Sequence, residues 1–398
     1  MNLLQLSWAN LKDKKLNSFL STLLLTLGIG IISLLLLLNK QLEDQFRKNL
    51  RGIDMVVGAK GSPLQLILSS VYQIDAPTGN IPLSEVEKLA RNPMVKAAIP
   101  LSMGDNYHGF RIVGTTGKYV EHFGGELESG SLFDKSMEVT IGYKVAEGSG
   151  LKPGDTFAGS HGFDQEGETH GDHLYVVKGV FKPSGSVLDQ LILTDISSVW
   201  DIHADHDHEA EEGGEAHEKE VTSALITFRN PMAMMMLPRM INENTKLQSA
   251  LSSIEINRLI ELLGVGIDTL RALAILIMLI AGVSVFVSLY NSLKERKYEM
   301  ALLLSMGATR TKLFFLLLFE GLLLAVMGFI AGVSLSRLGL WLFSQTAERD
   351  FNYSFGEFSI LPEEFYLLAA ALVIGVLAAA IPSLGIYRIN ISKTLAED

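Results

Sequence analysis

The residues best equipped for chemistry lie in one acidic, histidine-rich stretch. His203, His206, His208 and His217 are interleaved with nine carboxylates between Asp201 and Glu220, against the single cation Lys219. Imidazole and carboxylate this close together can gather one divalent ion, Zn, Ni, Cu or Mn, without choosing among them. His161, His170 and His173 bring seven of the nine histidines into residues 161–217. The same composition, with Gly213-Gly214 and few apolar residues, also fits a solvated acidic loop, and both readings stand. Elsewhere the candidates are sparse. There is no cysteine, which removes disulfides, thiol nucleophiles and Cys-ligated zinc. No Ser/His/Asp triad, carboxylate pair or zinc-protease spacing can be traced, so this chain is not expected to be an enzyme. Val57-Gly58-Ala59-Lys60-Gly61-Ser62-Pro63 has glycines and a lysine but is not a G-x-x-x-x-G-K-[ST] phosphate loop, and none occurs elsewhere. Met232, Met234, Met235, Met236 and Met240 offer thioethers that can take Cu(I), although a greasy, adaptable contact flank is their commoner use. Glu320 lies in an otherwise uncharged run, about 12 Å along a helix from Lys312. A carboxyl at that depth is either functional or a tie between helices.

The elements that would position these groups follow from hydropathy. A chain of 398 residues with mean hydropathy +0.28 is too apolar for an ordinary soluble protein, while 19% charged residues is too many for a purely intramembrane one. Four runs reach the ~20 apolar residues a span needs: Leu16 to Asn39, Ala272 to Leu293, Leu313 to Ser336 and Phe365 to Tyr387. The spans are placed at residues 18–39, 268–293, 313–336 and 365–387. An interfacial helix over 1–17 precedes them, with Trp8 and the lysines at headgroup depth. Lys12, Lys14, Lys15, Lys294, Arg296, Lys297, Arg310, Lys312, Arg388 and Lys393 fall on one side, which makes that side cytoplasmic. Leu338 to Glu364, within the short outer loop 337–364, holds only Arg349. Both ends, including the tail 388–398, are therefore expected inside, and residues 40–267 outside. The first run is longer than a signal-peptide core and lacks a small-x-small cleavage site, so it is expected to remain as an anchor. The net charge is −11, of which residues 201–220 contribute −8. A nucleic-acid partner would need a basic surface, and none is visible.

The outer segment reads as α+β. Apolar alternation marks strands at Ile53–Val57, Phe110–Val113, Val139–Tyr143, Tyr175–Val180, Gln190–Leu193 and Ala224–Phe228. Ser84-Glu85-Val86-Glu87 reads as a capping box opening a helix to about Arg91, and Pro231 opens another. Lys40–Leu50 and Leu251–Gly266 read as helical stalks. A segment of this length is expected to fold as two lobes.

The last feature is the segment 294–312, between the second and third spans. It reads as a short amphipathic helix ended by Gly307. Met300, Leu303 and Leu304 recur at helical spacing, so one face can enter a partner's groove while Lys294, Arg296 and Lys297 stay in water. Its run Glu295-Arg296-Lys297-Tyr298-Glu299-Met300 through Gly307-Ala308-Thr309 resembles the coupling segment E-R-x-x-E-I-x-x-x-x-x-x-G-A of ABC-transporter permeases of the MacB/FtsX/LolC type. Lys14-Lys15-Leu16-Asn17-Ser18-Phe19-Leu20-Ser21 resembles that family's entry into the first span. Gly130-Ser131-Leu132-Phe133, Val139-Thr140-Ile141-Gly142, Gly150 to Asp155 and Val176 to Val180 are similar, in order, to elements of its outer domain. Ser131 stands where the family has arginine, and Asn390 or Ile391 where the C-terminal motif has its second proline. Ile53 to Asn106 matches no pattern.

The resemblance implies an α-helical membrane protein with four transmembrane helices plus an α+β extracytoplasmic domain of the MacB-like periplasmic core type. It implies a permease in a bacterial inner membrane, with ATP and Mg bound and hydrolysed by a separate cytoplasmic ABC ATPase. Lys294, Glu295, Arg296, Lys297, Glu299, Met300, Leu303, Gly307 and Ala308 would couple to that ATPase. It further implies a permease homodimer with two ATPase subunits, and a periplasmic or outer-membrane partner. Glu320 would join helices or face the ATPase side, and Gly328 and Gly332 would let two third spans or neighbouring helices approach. No cofactor is expected in this chain beyond a divalent metal at the histidine-rich loop. A metal-responsive envelope sensor, or a permease handling metal or siderophore, is the alternative.

Overall fold

Long apolar stretches leave the backbone no better solution in lipid than a helix, because every N–H and C=O must be satisfied within the segment. In a computed structural model, residues 3–161, 169–207, 218–351 and 360–388 are described. The chain begins with α1 (Leu3–Asp13), α2 (Lys15–Leu50), β1 (Met55–Ala59), α3 (Pro63–Ile67), β2 (Ile81–Pro82), α4 (Leu83–Ala90), β3 (Val95–Tyr107) and β4 (Phe110–Thr115). It continues through α5 (Gly117–Phe123), β5 (Leu127–Gly130), β6 (Glu138–Ile141), α6 (Tyr143–Ser149), β7 (Thr156–His161), β8 (Thr169–Phe181), β9 (Leu191–Asp195) and α7 (Ile196–Asp207). Then come β10 (Glu220–Val221), β11 (Ser223–Phe228), α8 (Met232–Asn244), β12 (Leu247–Leu251), α9 (Ser252–Glu295), α10 (Lys297–Ser305), α11 (Arg310–Phe351) and α12 (Pro362–Ser383). Among the described residues four helices, α2, α9, α11 and α12, are long and apolar enough to cross a membrane. The expected stalks belong to the same helices as the first two spans, since α2 has 36 residues and α9 has 44.

The chain divides into a membrane unit, Met1–Leu42 with Leu263–Asp398, and a second unit, Glu43–Leu262, called the outer unit for the side on which the sequence leads it to be expected. In the membrane unit, Leu25 and Ile29 of α2 pack with Met278, Ala281 and Val285 of α9 and with Leu324, Ala371 and Ala379 of the last two spans. Small residues set the spacing. A Cβ on Gly328 would meet the Cβ of Leu25 at 2.7 Å, and one on Gly332 would meet that of Ile29 at 3.0 Å. The small-residue face of α11 therefore receives α2 of the same chain. A second close approach, Gly321 of α11 on Gly375 of α12, has backbone oxygens 2.7 and 2.9 Å from where a Cβ would stand. The segment 337–364, expected as a loop, is helical as far as Phe351.

The outer unit is built on one ten-stranded sheet in the order β12-β1-β11-β3-β4-β9-β6-β8-β5, with β7 pairing β3 and β8. Two lobes were expected; instead β3 joins the two halves. Its first part pairs with β11 from Val95 to Leu101, and its second with β4 from Ser102 to Tyr107, with a register shift between Met103 and Asp105. An irregularity there bends the strand, so one element serves both halves. Side chains alternate across the sheet as a period of two requires. Val56, Leu101 and Leu225 enter one core, while Met55, Val57, Ala224 and Ile226 face Ala233, Leu237 and Ile241 of α8 on the other side.

Three local expectations need correction. Ser84 does not cap a helix: Pro82 is the cap residue, α4 already includes Leu83, and the Ser84 hydroxyl donates to Glu218 Oε1 at 2.6 Å. The strand expected to reach Tyr143 stops at Ile141, because Gly142 caps α6. Residues 95–107, where no strand is expected, form β3, which with β8 is one of two 13-residue strands among the described residues.

His122 of α5 lies against Gly52, where φ is +81° and a Cβ would come within 2.9 Å of the ring. Burial pushes the imidazole pKa down, against weaker upward pulls from the Arg51 carbonyl and Asp54. The unfolded chain then binds this proton more readily than the folded one, so stability present above the ordinary histidine value is lost as pH falls through and below it. His122→Gln is expected to flatten the denaturant midpoint against pH between about 7.5 and 5.5. An unaltered slope would show that this ring does not set the acid limb.

Candidate functional site

The chain reverses between α9 and α11 through a structured corner. Arg296, with φ −102° and ψ 18°, breaks the helix after Glu295, and α10 follows at once. Met300 and Ala301 are buried in a cluster with Leu293, Leu313, Leu316, Leu317 and Ile386, and Leu303 and Leu304 pack against it. The face expected to enter a partner's groove is thus turned inward and fixes α10 to its own chain. What faces out is Tyr298, Leu302 and Met306, at 44%, 45% and 76% exposure, beside exposed Lys294, Glu295, Lys297 and Glu299. Those three apolar residues recur at i, i+4 and i+8.

The Gly-Ala-Thr end has a mechanical reason. Gly307 adopts φ +96°, its N–H reaches the Leu304 carbonyl at 3.1 Å, and the Ala308 N–H reaches that of Leu303 at 2.9 Å. This is the Schellman closure of a helix, which wants a residue without Cβ at its left-handed position. Thr309 then starts α11, its hydroxyl accepting the Lys312 N–H at 3.3 Å. One helix stops and the next starts within four residues, so α10 cannot swing freely.

Ion pairs brace the same corner. Lys14 pairs with Glu295, and Arg296 Nε donates to Glu299 Oε2 at 2.8 Å. Behind it α1 is pinned along α11: Ser7 Oγ donates to the Leu316 carbonyl at 3.1 Å, and Asn10 Nδ2 donates to Glu320 Oε1 at 2.5 Å. Glu320, only 2% exposed, is a tie between these two helices. A second polar tie lies further along the spans. Arg337 of α11 grips Glu364 of α12 with both terminal guanidinium nitrogens, Nη1 on Oε1 and, at 2.7 Å, Nη2 on Oε2. Ser33 Oγ of α2 donates to the same carboxylate at 2.5 Å and meets Ser336 Oγ at 2.8 Å.

Two family models cover most of this architecture, leaving out α1, α8, β12 and the start of α9. The MacB-like periplasmic core domain matches residues 18–231, more than half of the chain, and the FtsX-like permease C-terminal region matches residues 271–391. The chain belongs to the MacB/FtsX-type family of ABC-transporter permeases. Among solved structures, the periplasmic region of MacB from Actinobacillus actinomycetemcomitans is 14% identical over 54% of this chain and 97% of its own, with a TM-score of 0.34. The extracellular domain of the noncanonic ABC-type transporter YknZ from Gram-positive bacteria is 13% identical over 49% of this chain and 98% of its own, with a TM-score of 0.32. No curated protein matches the sequence.

A MacB/FtsX-type permease is a membrane subunit of an ABC transporter, and the family implies a cytoplasmic ATPase partner. In this member of the family, the E-R-K-Y-E-M signature falls on the braced corner and the Gly-Ala pair on the helix closure. The metal candidates fare differently. His203 and His206 lie on α7 with side chains that are not described, and His208 and His217 lie outside the described residues. Among the described residues no group of three or more His, Asp or Glu is placed to hold a metal ion.

The closure of α10 can be tested directly in this permease. Gly307→Val forces a β-branched residue into left-handed backbone, at roughly 1–2 kcal/mol. Amide exchange of Ala308 is expected to speed up about tenfold in the full chain. Unchanged protection would mean that the turn does not depend on glycine.

Proposed function

We propose that this permease couples ATP hydrolysis by a separate cytoplasmic ATPase to conformational work in the periplasm, with α10 as the surface the ATPase grips. The observation that carries the reading is the rigid mounting of α10: one face locked in its own helices, the other presenting Tyr298, Leu302 and Met306 within a ring of charge. An apolar patch with a charged rim is how interfaces in water are built. A load applied there has stiff elements to act on, since α2 and α9 are single helices far longer than a bilayer requires.

The positive charge of 294–312 supports a cytoplasmic α10 and a periplasmic outer unit. Leu273, Leu276, Ile280, Val283, Val287 and Tyr290 of α9 are all exposed and alternate at three and four residues. A homodimer working with two ATPase subunits completes the proposal, α9 offering an apolar face of the kind that lipid or a second spanning helix covers. The cargo is then a lipophile, a lipoprotein or a periplasmic ligand, extruded or released by the stroke of the outer unit rather than threaded through four spans.

The test is reversal of charge at Glu295 and Glu299, both more than half exposed. The double variant Glu295→Lys/Glu299→Lys is expected to abolish the stimulation of the ATPase by the reconstituted permease. Stimulation at the level of the unaltered chain would remove α10 from the contact.

A further inference from the structure

Between α1, the first turns of α2 and the middle of α11 lies a groove of about 330 Å³. Its walls include Leu11, Phe19, Leu324 and Met327, and Trp8, Lys12 and Lys15 also line it. We propose that this groove seats one anionic phospholipid of the leaflet on which α1 lies, its phosphate between Lys12 and Lys15 and an acyl chain along Phe19 and Met327.

The charge of the site is the first argument. Three lysines stand almost together, and the middle one, Lys14, is taken by Glu295. Lys12 and Lys15 are exposed and, among the described residues, neither pairs with a carboxylate. Asp13 forms no part of the lining. The lining itself is almost wholly apolar, Lys12 and Lys15 supplying mainly their stems, so an anion that carries its own hydrocarbon suits a greasy groove flanked by two exposed charges. Depth is the second. From Lys15 to Thr22, which also lines the groove, α2 descends about 10 Å, the passage from phosphate into acyl chains. Trp8 is the third: Lys12 Nζ stands 5.8 Å over its ring, an amphipathic residue suited to the headgroup boundary. A soluble phosphate would leave the walls uncovered, and the volume falls at the small end of ligand pockets.

The experiment is native mass spectrometry of the purified full-length chain from micelles containing phosphatidylglycerol and phosphatidylcholine. No ATPase is present, so the outcome is independent of the coupling role. The unaltered chain is expected to retain phosphatidylglycerol in preference to phosphatidylcholine. Lys12→Gln/Lys15→Gln should lower that preference about thirtyfold, roughly fivefold for each lysine near an anionic headgroup. Met327→Trp should expel the lipid with both lysines intact. Trp8→Ala, at an exposed site, should weaken retention and serves if Met327→Trp fails to fold. Lys294→Gln/Lys297→Gln, whatever it does to coupling, should leave lipid retention unchanged. Equal retention in the Lys12/Lys15 variant overturns the proposal. So does an equal loss in the Lys294/Lys297 variant, which would mean diffuse surface charge. Loss of a dimer mass with lipid retention unchanged would place a second copy in the groove and also overturn it.

Discussion

Glu364→Ala is expected to destabilise the membrane unit by about 3–5 kcal/mol, because it strands a buried guanidinium without its counter-ion. Glu364 is 2% exposed and Arg337 16%, so solvent gives the abandoned charge little relief. The carboxylate also accepts from Ser33 and from the Leu361 N–H, at 2.5 and 3.3 Å, and three helices lose their common acceptor together. The check is unfolding of the full chain in detergent, followed by far-UV circular dichroism. Replacing both partners, Arg337→Leu/Glu364→Leu, should recover much of the loss, since it removes the desolvated charge along with the attraction. A Glu364→Ala protein as stable as the unaltered one, or a double variant worse than either single, would show that the pair does not tie α2, α11 and α12.

Leu302→Asp is expected to cut the ATPase stimulation proposed for α10 by about thirtyfold or more, as loss of a central apolar anchor of an interface does. Leu302 is 45% exposed in the isolated chain, so a carboxylate there meets water and folding should be untouched. Met300→Asp is the contrasting variant: at 2% exposure it would bury a charge among Leu293, Leu313 and Leu317 and unfold the corner itself. The two outcomes separate a contact residue from a packing one. Loss of stability in Leu302→Asp, or intact stimulation, would contradict the assignment of faces on α10.

What was legible in the sequence follows from how few solutions each pattern permits. About twenty apolar residues in a row have one stable arrangement in lipid, and the four spans could be read directly. The faces of α10 could not. Tyr298, Met300, Ala301, Leu302, Leu303, Leu304 and Met306 surround the helix, and periodicity cannot choose an inner side when nearly every side is apolar. Arg337 and Glu364 escaped notice because a span is read as ending at its first charge, whereas α11 runs on to Phe351 and buries that charge against α12. Gly321 and Gly375 are one glycine per helix, and only their meeting makes a motif. Pro100 argues against a central strand, yet β3 accommodates it where its carbonyl accepts the Thr115 hydroxyl at 2.9 Å. The coupling signature was legible for the opposite reason: a helix stop, a glycine with positive φ and a new cap in four residues leave little freedom of residue type.

The most direct test of the central claim uses the absence of cysteine from the sequence. A single Leu302→Cys substitution gives one thiol, on the exposed face of α10. Membrane-impermeant maleimide is expected to label it in inverted vesicles and not in intact spheroplasts, and binding of the proposed ATPase subunit should protect it. Labelling from outside the cell, or full labelling with the ATPase bound, would contradict the account.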